Sequence, residues 1–428
     1  MECNARGVES TVASNSELFP EHIVTAANDL RRGAVGVAPE AGLEAKLLLS
    51  ETEKRPLRVK LGLDPTAPDI HLGFAVVLRK LRQFQDLGHQ VVIIIGDYTA
   101  LIGDPSGRST TRPMLTDEEI EANGATYVEQ LARILDPAKT EVRFNSEWLG
   151  RLTFAELVRL ATRMTVAQVL ERDDFAERFA SHQPISLHEL LYPLAQAYDS
   201  VAIDADVEMG GQDQTFNILA GRALQRELGR PEQIGFFMPL LVGLDGTKKM
   251  SKSLGNYVGI AETPIEMFSK LMSIPDTLLE SYFISCTLTP VQRIEQLVAD
   301  VAQGSINPRD VKRELARNVV AMYHSESAAE RADAEWMHVH SEGGLPEEIP
   351  EALLPADLVR NGKVWICRLL VSTGMAGGTG DARRLVEQGA VVLNGARVAD
   401  SAAELAPADL TGAILQVGPK RFVRIKAD

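Results

Sequence analysis

The sequence is poor in cysteine and in long apolar runs. Three cysteines occur among 428 residues, far apart at Cys3, Cys286 and Cys367, so there is no close pair of the kind found in metal knuckles or redox motifs. So few cysteines exclude a disulfide scaffold and favour a reducing compartment, which predicts a cytoplasmic protein. No run approaches the roughly 18 apolar residues that a membrane span needs. Residues 1–36 lack the basic start and apolar block of a signal peptide.

Basic residues are also in deficit. The sequence has 44 Lys and Arg against 59 Asp and Glu, a formal net charge of −15 at pH 7. Taken as one number, this charge argues against a nucleic-acid partner, because phosphate binding usually leaves a basic footprint. The deficit is uneven: from Lys363 onward nine Lys and Arg stand against six Asp and Glu, a net +3, so the remainder carries −18. Attraction to RNA would therefore be local to the C-terminal end.

Residues 57–95 have the pattern of a strand, a helix and a second strand. Leu57 to Leu63 alternates as a strand, residues 74–87 have helical spacing and stop at Gly88, and residues 91–95 form a β-branched run typical of a buried parallel strand. Such a βαβ unit predicts an α/β fold with a parallel sheet, in which ligands bind at the carboxyl ends of the strands. Further helices are predicted at 117–135, 153–171 and 185–198, and further strands at 141–144 and 201–207.

Two polar segments have the chemistry of phosphate binding. His71-Leu72-Gly73-Phe74 lies between the first strand and the first helix, where free N–H groups and the helix dipole favour an anion. Lys248-Lys249-Met250-Ser251-Lys252-Ser253 is a lysine-rich loop that could close over a triphosphate and neutralise a leaving pyrophosphate. Taken singly, the first is better explained by a helix cap and the second by a solvated run of charge.

Together the two segments resemble the paired signatures of class I aminoacyl-tRNA synthetases. The motifs between them, Thr99–Gly107, Leu191–Asp199 and Gly210–Gln214, are similar to those of the bacterial tyrosyl-tRNA synthetases. The resemblance implies a Rossmann-like catalytic domain with an inserted segment, followed by a helical domain and a small α+β domain. The expected limits are 1–36 for an N-terminal extension, 37–245 for the catalytic domain, 246–337 for the lysine loop and helical domain, 338–361 for a linker and 362–428 for the C-terminal domain.

The resemblance also implies a set of site residues. Those expected to bind tyrosine are Lys60, Thr99, Asp104, Asn145, Tyr192, Gln196, Asp199 and Gln214. Those expected to bind ATP are Asp64, Thr66, His71, Gly73, Gly211, Asp213, Met250 and Lys252, and those expected to act on the phosphates in catalysis are His71, Lys249 and Lys252. ATP would enter with Mg²⁺, and no metal held by protein side chains is expected. The spacing of Tyr192, Gln196 and Asp199 by itself places all three on one helical face.

Five residues depart from the family pattern, Leu61 and Gln212 among them, and the departures keep two alternatives open. Phe74 stands where the His-x-Gly-His signature has its second histidine, Lys60 where many members have a tyrosine that touches the substrate phenol, and Glu208 beside the pocket also differs. One alternative is a synthetase for a different amino acid. The other is a non-catalytic RNA-binding protein that has kept the fold.

The C-terminal segment resembles the S4 RNA-binding domain, in which two helices and a small sheet present basic side chains to structured RNA. The resemblance implies that tRNA(Tyr) is the partner and that Arg383, Arg384, Lys420 and Arg421 contact it. The alternative is a small packing module without an RNA role. The family resemblance further implies a homodimer formed through the segment inserted in the catalytic domain.

Overall fold

The computed structural model describes residues 18–65, 70–105, 116–341, 344–346, 349–418 and 421–426. The chain divides into two units, with the division between Tyr323 and His324. Within the described residues, the first unit has one sheet and the second unit has two. The first contains the βαβ pattern predicted from the sequence, and the second contains the segment with a net positive charge.

Six strands form the sheet of the first unit: β1 (Gly36–Ala38), β2 (Arg58–Leu63), β3 (Gln90–Ile95), β4 (Thr140–Phe144), β5 (Val207–Gly211) and β6 (Ile234–Met238). Their order is β1-β6-β5-β2-β3-β4, and all neighbouring pairs are parallel except β1 with β6. The strand order reverses at β2, which lies between β3 and β5. A crevice for ligands therefore opens at the carboxyl ends of β2 and β5, and the predicted α/β fold with a parallel sheet is confirmed.

Helices pack around this sheet and continue beyond it. They are α1 (Glu21–Arg31), α2 (Gly42–Glu53), α3 (Leu72–Asp86), α4 (Thr99–Ile102), α5 (Asp117–Leu131), α6 (Ser146–Leu149), α7 (Phe154–Ala161), α8 (Val166–Val169), α9 (Asp173–Ala180), α10 (Tyr192–Ala202), α11 (Thr215–Glu227), α12 (Pro264–Met272), α13 (Leu279–Cys286), α14 (Val291–Ala302) and α15 (Pro308–Tyr323). The β-branched residues of β3 are fully buried, as a strand covered on both faces requires.

Three of the predicted elements differ in the structure, and the first is the helix expected at 185–198, because α10 begins only at Tyr192 and continues to Ala202. The strand expected at 201–207 is wrong, because α10 continues to Ala202 and β5 begins only at Val207. Val201 packs in a helical cluster with Leu194 and Ala197, so its burial follows the helix period and not strand alternation. The single helix expected at 153–171 is also interrupted, because the Thr165 side chain accepts from Gln168 N and starts α8 with a new capping box.

The second unit begins with α16 (Glu326–Ser341) and continues as a small α+β module. Its strands are β7 (Glu351–Leu353), β8 (Val359–Arg360), β9 (Lys363–Trp365), β10 (Val391–Leu393), β11 (Ala396–Arg397), β12 (Glu404–Leu405), β13 (Ile414–Val417) and β14 (Arg421–Lys426), and its other helices are α17 (Ile366–Ser372), α18 (Thr379–Glu387) and α19 (Pro407–Leu410). The strands form sheets in the orders β11-β10-β13-β14-β7 and β12-β9-β8. The stretch predicted as a linker, 338–361, contains the end of α16 together with β7 and β8.

No helix in the described ranges has the length and apolar character needed to cross a membrane.

Candidate active site

Asp64 joins two elements at the carboxyl end of β2. Its Oδ1 accepts from Thr99 Oγ1 at 2.8 Å, and its Oδ2 accepts from the Tyr192 hydroxyl at 2.9 Å. Gly96 makes this possible, because a Cβ there would collide with both Asp64 Oδ1 and Thr99 Oγ1. The carboxylate therefore ties β2 to the start of α4 and to α10, and all three expected site residues lie at the sheet edge where the crevice opens.

Asp199 is a buried carboxylate held by two donors. Trp148 Nε1 donates to Oδ1 at 2.8 Å and Asn145 Nδ2 donates to Oδ2 at 3.4 Å. Asn145 also donates to Thr99 Oγ1 at 3.0 Å. Burial raises the pKa of Asp199 to about 7, although Lys60 and the two donors act to lower it. The group is thus an acceptor whose ionisation falls in the neutral range.

A second cluster lies where α10 meets the start of α11. Gln214 Nε2 donates to Asp104 Oδ2 at 3.0 Å, and Asn217 Nδ2 donates to Gln214 Oε1 at 2.9 Å. Burial, with Asp104 and Asp64 nearby, raises the pKa of Tyr192 well above its usual range, so its phenol stays protonated. Carboxylate, phenol and amide oxygens gathered in this way suit a substrate ammonium.

Lys60 occupies a position away from this cluster, beneath α10. Its Nζ donates to Gln196 O at 2.9 Å, Ser200 Oγ at 2.7 Å and Glu208 Oε1 at 2.9 Å. An ammonium has three protons, and these three acceptors account for them. As placed, Lys60 has no proton left for a substrate phenol.

His71 caps the start of α3 and is held in place by its backbone. It forms a β-bridge with Gly259, and Leu72 N donates to Val258 O at 2.9 Å. Its buried Nδ1 has no hydrogen-bond partner among the described residues. Burial, helped by the charge of Lys252, lowers the pKa of His71 to about 4, so at neutral pH the ring is uncharged. A Cβ at Gly73 would lie 3.0 Å from two atoms of this ring, which explains the glycine.

The lysine-rich loop is built on a short antiparallel bridge between Val242 and Lys249. Met250 is buried and its N–H donates to Leu241 O at 2.7 Å, which anchors the middle of the loop. Lys249 Nζ pairs with Asp213 Oδ2 at 3.0 Å. Lys252 Nζ lies 5.9 Å from the centroid of the Tyr127 ring. The loop therefore places one lysine against the carboxyl end of β5 and another near His71.

Gly211 lies at that same end of β5. A Cβ there would lie 2.7 Å from Asp213 Oδ1 and 2.9 Å from Leu240 Cδ2, so the close approach of the backbone requires glycine. Among the predicted ATP contacts, Thr66 falls outside the described residues. The others border the mouth of the crevice or its lysine loop. Over the part of the chain that the structure describes, no three His, Cys, Asp or Glu side chains form a group suited to a metal ion.

In the second unit, three of the four predicted RNA contacts can be placed. Arg383 stacks over the Trp365 ring with its Cζ 5.3 Å from the centroid, Arg384 pairs with Asp381 at 2.6 Å, and Arg421 donates to Met375 O at 3.0 Å. Lys420 lies outside the described residues. The three arginines belong to α18 and β14.

The structure adds site residues that the motifs did not indicate. Trp148 follows β4 at the same sheet edge as Asn145, a position that topology could have suggested. Arg172, from the inserted segment, is buried, donates to Asn217 Oδ1 at 2.8 Å and lies 3.9 Å from Asp104 Oδ1. Nothing in the sequence near Arg172 indicates that its guanidinium reaches this cluster, because the intervening chain is an irregular series of short helices.

Residues 52–341 match the family described as tRNA synthetases class I (W and Y), and residues 348–425 match the tyrosine–tRNA ligase SYY-like C-terminal domain. The tyrosine–tRNA ligase of Moorella thermoacetica is 54% identical over 396 residues, covering 92% of this chain and 94% of that protein. Tyrosine–tRNA ligase 2 of Vibrio cholerae is 49% identical over 403 residues, covering 94% of this chain and 98% of that protein. The chain belongs to the tyrosine–tRNA ligase family.

A solved structure supports the same fold over most of the chain. The tyrosyl-tRNA synthetase of Archaeoglobus fulgidus, solved with L-tyrosine, superposes with a TM-score of 0.58 at 22% identity and covers 73% of this chain and 99% of that one. At this identity the similarity shows the fold alone. The predicted family and fold class are confirmed, whereas the roles of individual site residues stay predictions.

Proposed function

We propose that this chain activates L-tyrosine with ATP and transfers it to the 3′-terminal ribose of tRNA(Tyr). The observation that carries the proposal is the buried carboxylate of Asp199, which accepts hydrogen bonds from Trp148 and Asn145. Asp199 lies on the same helix as Tyr192 and Gln196. One end of the crevice thus has an acceptor suited to a phenol. The other end has oxygens suited to an ammonium.

Selection of tyrosine follows from the donors around Asp199. Both carboxylate oxygens already accept from the protein, and their remaining lone pairs can accept the substrate hydroxyl. An amino acid without that hydroxyl would leave a buried carboxylate short of a partner, which costs binding energy. The ammonium would contact Asp104, Tyr192, Gln196 and Gln214, with Thr99 and Asn145 ordering the pocket between the two ends.

Adenylate formation needs no covalent intermediate with the protein. The substrate carboxylate attacks the α-phosphate of ATP in line, the bond to the pyrophosphate oxygen breaks, and pyrophosphate leaves. Catalysis then rests on alignment and on charges positioned for the transition state. We assign the phosphate contacts to His71, Lys249 and Lys252, and Mg²⁺ enters with ATP as part of the substrate.

The nucleoside part of ATP would lie against the carboxyl ends of β2 and β5. We assign it to Asp64, Thr66, Gly73, Gly211, Asp213 and Met250. Lys249 and Asp213 form an ion pair in the structure, with both side chains partly exposed. Nucleotide binding would separate them, because the ribose hydroxyls would take the carboxylate and the phosphates would take the ammonium.

In the second step, a terminal ribose hydroxyl of tRNA attacks the carbonyl of the adenylate and AMP leaves. We assign tRNA contacts in the second unit to Arg383, Arg384, Lys420 and Arg421. Since aminoacyl-tRNA is consumed by translation, the cytoplasm is the proposed location.

We also propose a homodimer formed through the segment between β4 and α10. Phe154 is 81% exposed, Phe179 64% and Leu187 83%, and large apolar side chains this exposed on one segment favour burial by a partner. A double variant, Phe154→Asp with Phe179→Asp, should sediment as a monomer where the wild type sediments as a dimer. A monomeric wild type would exclude this part of the proposal.

Tyrosine-dependent ATP–pyrophosphate exchange tests the central reaction. The proposal predicts exchange with tyrosine and none with phenylalanine or tryptophan at the same concentration. Exchange supported by a different amino acid would instead identify a synthetase for that amino acid. Absence of exchange with all twenty amino acids, together with retained tRNA binding, would identify a non-catalytic RNA-binding protein.

A further inference from the structure

Two residues that depart from the family pattern are partners of each other. Lys60 and Glu208 are register partners on the parallel strands β2 and β5, and Lys60 Nζ lies 2.9 Å from Glu208 Oε1. Both side chains are essentially inaccessible, at 0% and 2%. Because either charge buried alone would be strongly destabilising, the two departures belong together as one ion pair.

Glu208 has donors on both oxygens. Oε1 accepts from Lys60 Nζ and from Gln196 Nε2 at 3.1 Å, whereas Oε2 accepts from Ser200 Oγ at 2.9 Å and from Gln233 Nε2 at 2.5 Å. An ionised carboxylate can only accept. The atom of Gln196 that faces it must therefore be the amide nitrogen, which fixes the orientation of an amide that could otherwise flip.

The fixed orientation leaves the Gln196 oxygen for another donor. Among the described residues none donates to Gln196 Oε1, and the side chain is half-buried on the helix that carries Tyr192 and Asp199. A substrate ammonium is a donor only, so it can bind this oxygen but not the amide nitrogen.

A glycine on the facing helix closes the network. A Cβ at Gly221 would lie 2.7 Å from Gln233 Nε2, 3.0 Å from Ser200 Oγ and 3.1 Å from Glu208 Oε2. The first of these distances is shorter than Cβ contacts in proteins and the other two are tight, so glycine at this position in α11 lets the polar groups meet without displacement.

We propose that the Lys60–Glu208 pair is a positioning device that holds Gln196 with its side-chain oxygen toward the substrate ammonium. Glu208 sets the direction of the amide, and Lys60 neutralises Glu208 while holding α10 through Gln196 O and Ser200 Oγ. The inference rests on the proposed function, because it takes the ammonium-binding role of Gln196 as given.

The test compares the binding of two ligands to one double variant. Lys60→Met with Glu208→Gln removes both charges together, which avoids stranding one of them, and gives Gln196 a neighbour that can either donate or accept. Dissociation constants are measured for L-tyrosine and for 3-(4-hydroxyphenyl)propionate, which keeps the phenol and carboxylate but lacks the ammonium. The expected result is that the affinity for tyrosine falls by about tenfold or more, whereas the affinity for the analogue changes by less than about twofold.

Equal losses of affinity for the two ligands, or no loss for either, would overturn the inference, because an ion pair with a merely structural role would not distinguish one ligand from the other. Lys46→Met is the matched control: it removes the buried Lys46–Asp206 pair while leaving Asp206 bonded to Arg55. If the double variant does not fold, Gly221→Ala disturbs the same network without removing a charge. It should weaken the binding of tyrosine more than the binding of the analogue. Failure of the wild type to bind tyrosine would instead contradict the proposed function.

Discussion

The Trp148 indole donates to Asp199 Oδ1 at 2.8 Å, although the two residues are 51 positions apart in the chain. Trp148 comes from α6 and Asp199 from α10, so the bond joins the carboxyl edge of the sheet to the helix that carries the pocket. It also stabilises the ionised form of a buried carboxylate. The phenol acceptor of the proposed site is therefore maintained by a residue that the sequence motifs do not contain.

Trp148→Phe should shift the pH dependence of tyrosine activation to higher pH. Burial has already raised the pKa of Asp199 to about 7, and Trp148 is one of the groups that lower it. Without the indole N–H, the Asp199 carboxyl group would ionise at a higher pH. The activity should therefore rise through about pH 7 in the wild type and at a higher pH in the variant. The measurement is kcat/KM for tyrosine in pyrophosphate exchange between pH 6 and pH 9.

The control for this pH experiment is Asp199→Asn, which has no carboxyl group to ionise. Its profile should be flat across the range in which the wild type rises. A wild-type profile already flat through pH 7, or a rise that survives in the Asn variant, would assign the titration to another group.

Lys252→Ala should slow adenylate formation much more than it weakens tyrosine binding. Lys252 belongs to the lysine-rich loop and lies near His71, on the phosphate side of the crevice, so it would act on charge that develops as pyrophosphate leaves. The single-turnover rate should fall by about 10²–10³-fold, whereas the dissociation constant for tyrosine should stay within about twofold of the wild-type value. Comparable losses in both quantities would remove Lys252 from the phosphate site.

The exposed lysine Lys248 offers a matched control. It precedes Lys249 in the same loop and is outside the proposed contacts, so Lys248→Ala should leave the single-turnover rate close to that of the wild type.

Phe74→His should raise the rate of adenylate formation. Phe74 is 38% exposed in the first turn of α3, and its ring centroid lies 5.0 Å from that of His71. An imidazole there could give the nucleotide one more donor, worth about 2- to 10-fold if it forms a single net hydrogen bond. Pre-steady-state measurement with Phe74→Leu as control separates the new donor from the loss of the ring. An unchanged rate would show that other groups have replaced the second histidine.

Much of the fold and part of the site are predictable from the sequence. The β-branched run of β3 and the helical period of α3 give the βαβ unit, and that unit places the ligand site at the carboxyl edge. The spacing of Tyr192, Gln196 and Asp199 gives one helical face without knowledge of the tertiary structure.

The remainder depends on contacts between distant segments. The direction of the Lys60 side chain could not be predicted, because its partner Glu208 lies on another strand and only the sheet order makes them neighbours. The contribution of Arg172 depends likewise on how the inserted segment folds back. The end of α10 at Ala202 is likewise not predictable, because a short apolar segment such as the one that follows Ser200 has the same pattern in a strand and at a buried helix end.

Arg383→Ala with Arg384→Ala should weaken tRNA binding and leave adenylate formation unchanged. The two side chains lie on α18, where Arg384 pairs with Asp381 and is largely exposed, so it is available to phosphates. If both contact RNA backbone, the slope of log K against log salt should fall by about one for each lost contact. Arg309→Ala, at an exposed position in the first unit, is the control. An unaltered salt slope would favour a packing role for the C-terminal module.

The most direct test measures kcat/KM in ATP–pyrophosphate exchange for tyrosine and for phenylalanine, on the wild type and on Asp199→Asn. The account predicts a large preference for tyrosine in the wild type. In the variant, the loss of a buried charged acceptor should reduce that preference by about 10- to 150-fold. An equal preference in both proteins would contradict the claim that Asp199 recognises the substrate phenol.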